Sequence, residues 1–237
     1  MKTEYIKYTK GEFMAKNPIK RDKAVELLGR FMLLDGMDKL DFFVCGSIRR
    51  GSEEVGDIDL IVVGEYPTDD KECEKFFETG GSKARTYSYY GTQINMWKTT
   101  PDLLGAAILY ATGSGMFNRR IRTLCQRQGM KLSQNGLSER ESGKIVSGET
   151  EKQIFNKIGL KYIPPSYRDT NRMAATITAF TLRFKTDQSY VERLMGRVFN
   201  RDIYSAIQQD MLPLHIPYFN IREGLEKAQR LIGDKDA

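Results

Sequence analysis

At 237 residues, with 40% hydrophobic and 29% charged side chains, the chain has the composition of a globular protein with a buried core and room for one or two domains. No apolar run approaches the roughly 20 residues that a membrane span requires, and the N-terminal MKTEYIKYTKGEF lacks the apolar stretch of a signal peptide, so no membrane association is expected. A formal charge of +6 allows a polyanionic partner, and three widely spaced cysteines, Cys45, Cys73 and Cys125, argue for reduced thiols in an intracellular, cytoplasmic setting and against a zinc site.

In chain order, residues 1–18 are polar with little periodicity. Ile19 to Leu34 carries Ala24, Leu27, Leu28, Phe31 and Met32 at helical spacing, which predicts an amphipathic helix leading into the first strand. Phe42 to Cys45 reads as an apolar strand, Gly46 and Ser47 as a tight turn, Arg49 and Arg50 as part of a short basic segment, and Gly56 to Val63 as a second strand. Strand alternation places Asp57 and Asp59 on one face while Ile58 and Leu60 face the core. Pro67, Asp69 and Asp70 break this strand; Lys71 to Phe77 reads as a short helix closed by Gly80 and Gly81. Thr86 to Tyr90 and Thr92 to Trp97, with Gly91 between them, predict a hairpin, and the sum is a mixed sheet with helices on one face.

Two carboxylates side by side repel one another unless a divalent cation neutralises them. A glycine that allows close backbone approach, the hydroxyl of Ser47, nearby backbone N–H groups and the delocalised charge of Arg50 suit phosphate oxygens. Asp57 and Asp59 would then hold Mg²⁺, with Mn²⁺ as an alternative ion, against those phosphates, which describes a nucleoside triphosphate site for nucleotidyl transfer. Further on, Lys83 to Arg140 carries nine Lys and Arg against only Asp102 and Glu139, a one-sided balance that attracts a phosphate backbone. Asp102 to Asn118 is a helix-like apolar run ending at a Thr-Gly-Ser turn, and Glu151 to Ile158 predicts a helix terminated by Gly159 and followed by Pro164 and Pro165.

Gly46-Ser47-Ile48-Arg49-Arg50-Gly51 followed by Gly56-Asp57-Ile58-Asp59 resembles the nucleotidyltransferase superfamily, and in detail the family X DNA polymerases, whose palm carries G-S-x-R-R-G and G-D-x-D. Tyr110-Ala111-Thr112-Gly113-Ser114 resembles the family's Y-F-T-G-S turn over the sugar of the incoming nucleotide, with Asn118 at the place of an Asn that touches its base. The segment Ile154-Phe155-Asn156-Lys157-Ile158-Gly159-Leu160-Lys161-Tyr162-Ile163-Pro164-Pro165 is similar to the thumb signature. Over roughly residues 20 to 168, the resemblance implies an α+β fold: a nucleotidyltransferase palm (36–105) after a lead-in helix (1–35), and a small thumb (106–168). A helical C-terminal extension (169–237) contains the lone His215, expected to be structural. It implies nucleotide contacts at Gly46, Ser47, Arg50, Gly56, Tyr110, Ala111, Gly113 and Asn118, and DNA contacts at Arg119, Arg120, Arg122 and Lys131. The expected substrates are a dNTP and gapped or primer-template DNA, handled by a monomer. The short N-terminus has no room for the lyase domain and helix-hairpin-helix module of repair polymerases, which makes the chain similar to the reduced palm-and-thumb viral forms.

Two positions depart from the family pattern. Ala111 stands where an aromatic is usual, which implies a looser sugar pocket and weak discrimination against ribonucleotides. Fifteen residues before Tyr110, where the family places its third catalytic and metal-binding Asp, this chain has Asn95. Asn is nearly isosteric with Asp but neutral, and its amide nitrogen can only donate, so nucleotide binding with one metal should survive and chemistry should be slow. Asn95 is either a substitution that traps a substrate complex, which the intact substrate positions favour, or a native feature of a weakened or repurposed member. The alternatives to a template-directed DNA polymerase are a template-independent nucleotidyltransferase with another acceptor and a non-catalytic nucleotide- or DNA-binding member.

Overall fold

The structure is a computed structural model that describes residues 18–34, 37, 40–66 and 71–169, with positions 71 and 72 described in backbone only. The expected helices of the C-terminal extension, His215 and the strand break at Pro67, Asp69 and Asp70 lie outside the described residues.

Ile19–Lys20 (β1) leads into helix α1, Arg21–Met32. Each apolar residue of the expected stripe, Ala24, Leu27, Leu28, Phe31 and Met32, is buried; burial of such a side chain as Leu, Phe or Met contributes about 1.5–3 kcal/mol. Strand β2 is Asp41–Val44. The stretch expected as a turn and basic segment is a short helix, α2, Gly46–Arg50. Glu54–Val55 (β3) pairs with β1, tying the start of α1 to the loop ahead of strand β4, Asp57–Val63. The expected helix from Lys71 to Phe77 stops at Glu74 (α3, Lys71–Glu74); Lys75 and Phe76 turn the chain, and Phe77 opens an exposed strand, β5, Phe77–Gly80. Phe77 and Thr79 here pair with the next strand rather than extend the helix. The expected hairpin is β6, Ala84–Tyr89, and β7, Thr92–Thr99, joined by Tyr90 and Gly91, both at positive φ as a two-residue hairpin turn requires.

These strands form one five-stranded mixed sheet in the order β2-β4-β7-β6-β5, in which β4 and β7 run parallel and the other neighbours antiparallel. The two faces of β4 differ. Ile58, Leu60 and Val62 face α1 together with Tyr87, Tyr89, Ile94 and Met96, and make the main core of the palm. On the other face, Asp57 and Asp59 are followed by Ile61, so the face is polar at the start of the strand and apolar two residues on.

That apolar part is covered by α4, Leu104–Thr112, whose Ala107 and Ile108 pack with Ile61 and Cys45 against Phe43 and Trp97. The chain then turns at Gly113 and Ser114, joined by a cis peptide, into α5, Gly115–Arg127, capped by the Ser114 hydroxyl accepting from the Phe117 N–H. A three-stranded antiparallel sheet follows, β8 (Met130–Ser133), β9 (Gly136–Glu139) and β10 (Ile145–Ser147), and then α6, Glu151–Lys157, with a reciprocal cap between Thr150 and Gln153. Leu109, Phe117, Ile121, Ile154, Phe155 and Ile163 form a second core, that of the thumb. The N–H groups of Gly105 and Ala106 donate to the carbonyls of Glu149 and Gly148, satisfying the first turn of α4. A Cβ at position 105 would collide with the Thr150 backbone, so only glycine permits this approach.

Candidate active site

The parallel register of β4 and β7 sets Asp57 opposite Gln93 and Asp59 opposite Asn95. Paired residues of neighbouring strands share a face, so the four side chains stand together at the polar end of the sheet. Asn95 Nδ2 donates to Asp59 Oδ1 at 3.1 Å and lies 3.4 Å from Asp57 Oδ2. Its Oδ1 accepts from Gln93 Nε2 at 2.8 Å and from Thr86 Oγ1 at 3.3 Å. Asn95 is buried, whereas Asp57 and Asp59 are half-buried and remain within reach of solvent.

Above the acids, the Cys45 N–H donates to the Asp59 carbonyl, which brings the start of α2 against β4. Gly46 has φ +59, and a Cβ there would run into the Asp59 carboxylate; backbone conformation and close approach both demand glycine. The Ser47 hydroxyl is buried without a hydrogen-bond partner, an unusual state that suits a group waiting for an oxygen acceptor. Arg50 donates through Nη1 to the Thr112 carbonyl at 2.6 Å and through Nε to Asp169 Oδ2 at 3.1 Å. It therefore joins the palm to the Thr112-Gly113 turn. Gly56, just before β4, has open space where a Cβ would stand, so no steric need for glycine exists there.

The remaining expected residues lie on α4, α5 and β8. Tyr110 is exposed at the end of α4, and its carbonyl accepts from Asn118 Nδ2 at 2.7 Å, which ties the two across the turn. Ala111 is half-buried and packs toward Phe43, Trp97 and the Cys45 cluster. Arg119, Arg120 and Arg122 are exposed on α5, and Lys131 is exposed on β8. The structure thus gathers Gly46, Ser47, Asp57, Asp59 and Asn95 in one place and links Arg50 to the turn that carries Tyr110 and Gly113.

A second group of residues went unrecognised in the sequence. Arg49 donates to both oxygens of Glu151, at 3.1 and 2.7 Å, and to Thr112 Oγ1 at 2.6 Å. Arg168, fully buried, reaches the same carboxylate at 2.7 Å, donates to the Ile163 carbonyl, and lies over the rings of Phe117, Phe155 and Tyr162. Burial alone would raise the pKa of Glu151, but Arg168 and Arg49 outweigh it and hold the carboxyl at about 2. Burial likewise raises the Cys45 thiol, to about 12, against the opposing pull of Arg49. Glu151 had only the signal of an acid in the first turn of a helix, which ordinarily marks a solvated complement to the helix dipole.

The donor set bears on whether a divalent cation fits. Asp57 and Asp59 converge on a single point, now taken by an amide N–H₂, and two converging carboxylates on a partly open face suit a hard cation such as Mg²⁺. A third carboxylate is missing, and among the described residues no group of three or more His, Cys, Asp or Glu is gathered for a metal.

With this geometry in view, the comparisons with known proteins are specific. Residues 107–169 match the DNA polymerase beta thumb family. The chain is 25% identical over 146 residues to the Bacillus subtilis DNA polymerase/3'-5' exonuclease PolX, covering 58% of this chain and 26% of that protein. It is 29% identical over 160 residues to rat DNA polymerase lambda, covering 53% of this chain and 28% of that protein. The chain is thus similar in sequence to DNA polymerases of family X. It spans about a quarter of the length of these family X relatives. A shorter match, 29% over 91 residues, joins it to human DNA-directed DNA/RNA polymerase mu. The mixed sheet with α1, and the unit built on α5 and α6, are consistent with a polymerase beta-like palm and thumb. No described helix is long and apolar enough to cross a membrane.

Proposed function

We propose that the chain is a template-directed DNA polymerase of family X type that adds dNMP to a primer 3′-hydroxyl in gapped or primed DNA, with its catalytic metal site weakened by Asn95. The observation that carries this is the juxtaposition of Asp57, Asp59 and Asn95 beneath Gly46 and the unpartnered Ser47 hydroxyl. Ser47, the backbone of α2 and Arg50 hold the triphosphate; Tyr110, Gly113 and Asn118 border the sugar and base; Arg119, Arg120, Arg122 and Lys131 hold DNA phosphates. Asp57 and Asp59 hold Mg²⁺, which when bound neutralises the phosphates and lowers the pKa of the attacking hydroxyl. Asn95, lacking a negative charge, neither completes a second ion site nor accepts the hydroxyl's proton.

Single-nucleotide insertion into a one-nucleotide gap with Mg²⁺ tests this. Asn95→Asp is expected to insert the templated nucleotide roughly 100-fold or more faster than the chain as written, the scale of losses at metal-site and electrostatic positions. Equal, negligible rates would remove the main support. The arrangement of Asn95 itself favours a second reading, a nucleotide-binding member without catalysis: its amide already satisfies the two carboxylates. In that case dNTP with Mg²⁺ raises the melting temperature of the chain, and neither it nor Asn95→Asp forms product.

A further inference from the structure

Asn95 is held from both ends. The carboxylates of Asp57 and Asp59 accept hydrogen bonds and cannot donate them when ionised, so a neutral amide facing them must present its N–H₂. Its oxygen then points along the sheet to two donors on the same face. Gln93 stands two residues earlier on β7 and gives the shortest bond, 2.8 Å, while Thr86, directly across on β6, lies at 3.3 Å. Turned end for end, Asn95 would set its N–H₂ against the N–H₂ of Gln93, donor against donor. An amide oxygen offered to a cation at this centre therefore requires Gln93 to turn as well.

We propose that Gln93, supported by Thr86, is a positioning residue that fixes the Asn95 amide with its nitrogen toward Asp57 and Asp59, and thereby limits this centre to one divalent cation. The inference rests on the polymerase reading above and refines it. Asn95 is then a latch that keeps the two acids together by hydrogen bonds, in the place where a second cation would otherwise draw on them. Residue 93 acts together with the two acids in setting which end of the Asn95 amide faces the centre.

The test counts ions rather than turnover. Mn²⁺ bound per full chain is measured by electron paramagnetic resonance, with a dNTP whose α,β-bridging oxygen is replaced by methylene. One ion is expected for the chain as written and two for Asn95→Asp. Gln93→Glu is expected to take two, because an acceptor-only carboxylate at 93 draws the amide nitrogen to itself and turns the oxygen toward the acids. The double variant Gln93→Glu, Asn95→Leu carries the same added charge without the amide and is expected to hold one. In parallel, the side-chain N–H₂ resonances of Asn95 are expected to move in Gln93→Glu. Two ions in the chain as written, two in the double variant, or one in Gln93→Glu with unmoved Asn95 resonances would each overturn the inference. In the last case Asn95→Asp, if it holds two ions and inserts nucleotide, leaves the polymerase reading standing. No Mn²⁺ and no nucleotide bound by any form overturns both.

Discussion

Gly46 meets two separate demands, since φ +59 lies in the left-handed region and the Asp59 carboxylate fills the space of a Cβ. A left-handed alanine costs about 1–2 kcal/mol, and the displaced carboxylate is one that a cation needs. Gly46→Ala is therefore expected to lower the unfolding free energy by about that amount in urea denaturation and to abolish the thermal shift given by Mg²⁺ and dNTP. A retained shift would show that Asp59 can move without consequence. Ala111 is small where the resemblance implies a ring, and it packs toward Trp97 and Phe43, at the edge of the turn beside Tyr110. Ala111→Phe in an Asn95→Asp background is expected to increase the preference for dNTP over rNTP by about 10-fold, the discrimination that roughly 1.4 kcal/mol supplies. Insertion ratios unchanged by the ring would sink the loose-pocket idea.

Among the elements, α2 is tied to α4 and α6 by polar contacts centred on one carboxylate. Glu151 at the start of α6 binds Arg49 of α2 and Arg168 at the end of the thumb, while Arg49 and Arg50 both reach Thr112 at the end of α4. Both arginines at Glu151 are mostly or wholly buried, so removing its charge leaves them without a counter-ion, at a cost of about 3–5 kcal/mol. Glu151→Gln is expected to lose stability on that scale at pH 7. The pH dependence has a definite sign. Glu151 titrates at about 2 in the folded chain against an ordinary value of 4.5, so its contribution is fully present above about 4.5 and is lost as pH falls toward 2. Urea titrations across that window should show a component of the acid destabilisation that is present in the chain as written and missing in Glu151→Gln; parallel curves would refute it.

For the whole molecule, charge is distributed so that one helix of the thumb bears exposed Arg119, Arg120 and Arg122 while the palm supplies the acid pair. Exposed cations of this kind act through counter-ion release, which makes binding steeply dependent on salt. Replacing one of them by alanine is expected to weaken binding to primer-template DNA and to make the slope of log affinity against log salt shallower by about 0.9 for each phosphate no longer neutralised. Fluorescence anisotropy over a salt series measures this, and an unchanged slope in all three variants would place the DNA elsewhere.

Local chemistry made much of this legible in the sequence. The stripe from Ala24 to Met32, the alternation that sets Asp57 and Asp59 apart from Ile58 and Leu60, the Gly91 hairpin and the helix stop at Gly159 follow from period and turn residues acting over a few positions. The count back from Tyr110 to Asn95 rested on the family resemblance, and the sheet register sets Asn95 opposite Asp59. The helix in place of a turn at Gly46 to Arg50, and the strand in place of a helix end at Phe77 to Gly80, were decided by neighbours: β4 beneath the first and β6 beside the second. The pairing of Glu151 with Arg49 was not legible, because it is a property of packing between segments 102 residues apart. Which end of the Asn95 amide faces the acids was likewise beyond the sequence. That choice depends on donors and acceptors which three strands bring together, and only the folded sheet places them within hydrogen-bonding distance.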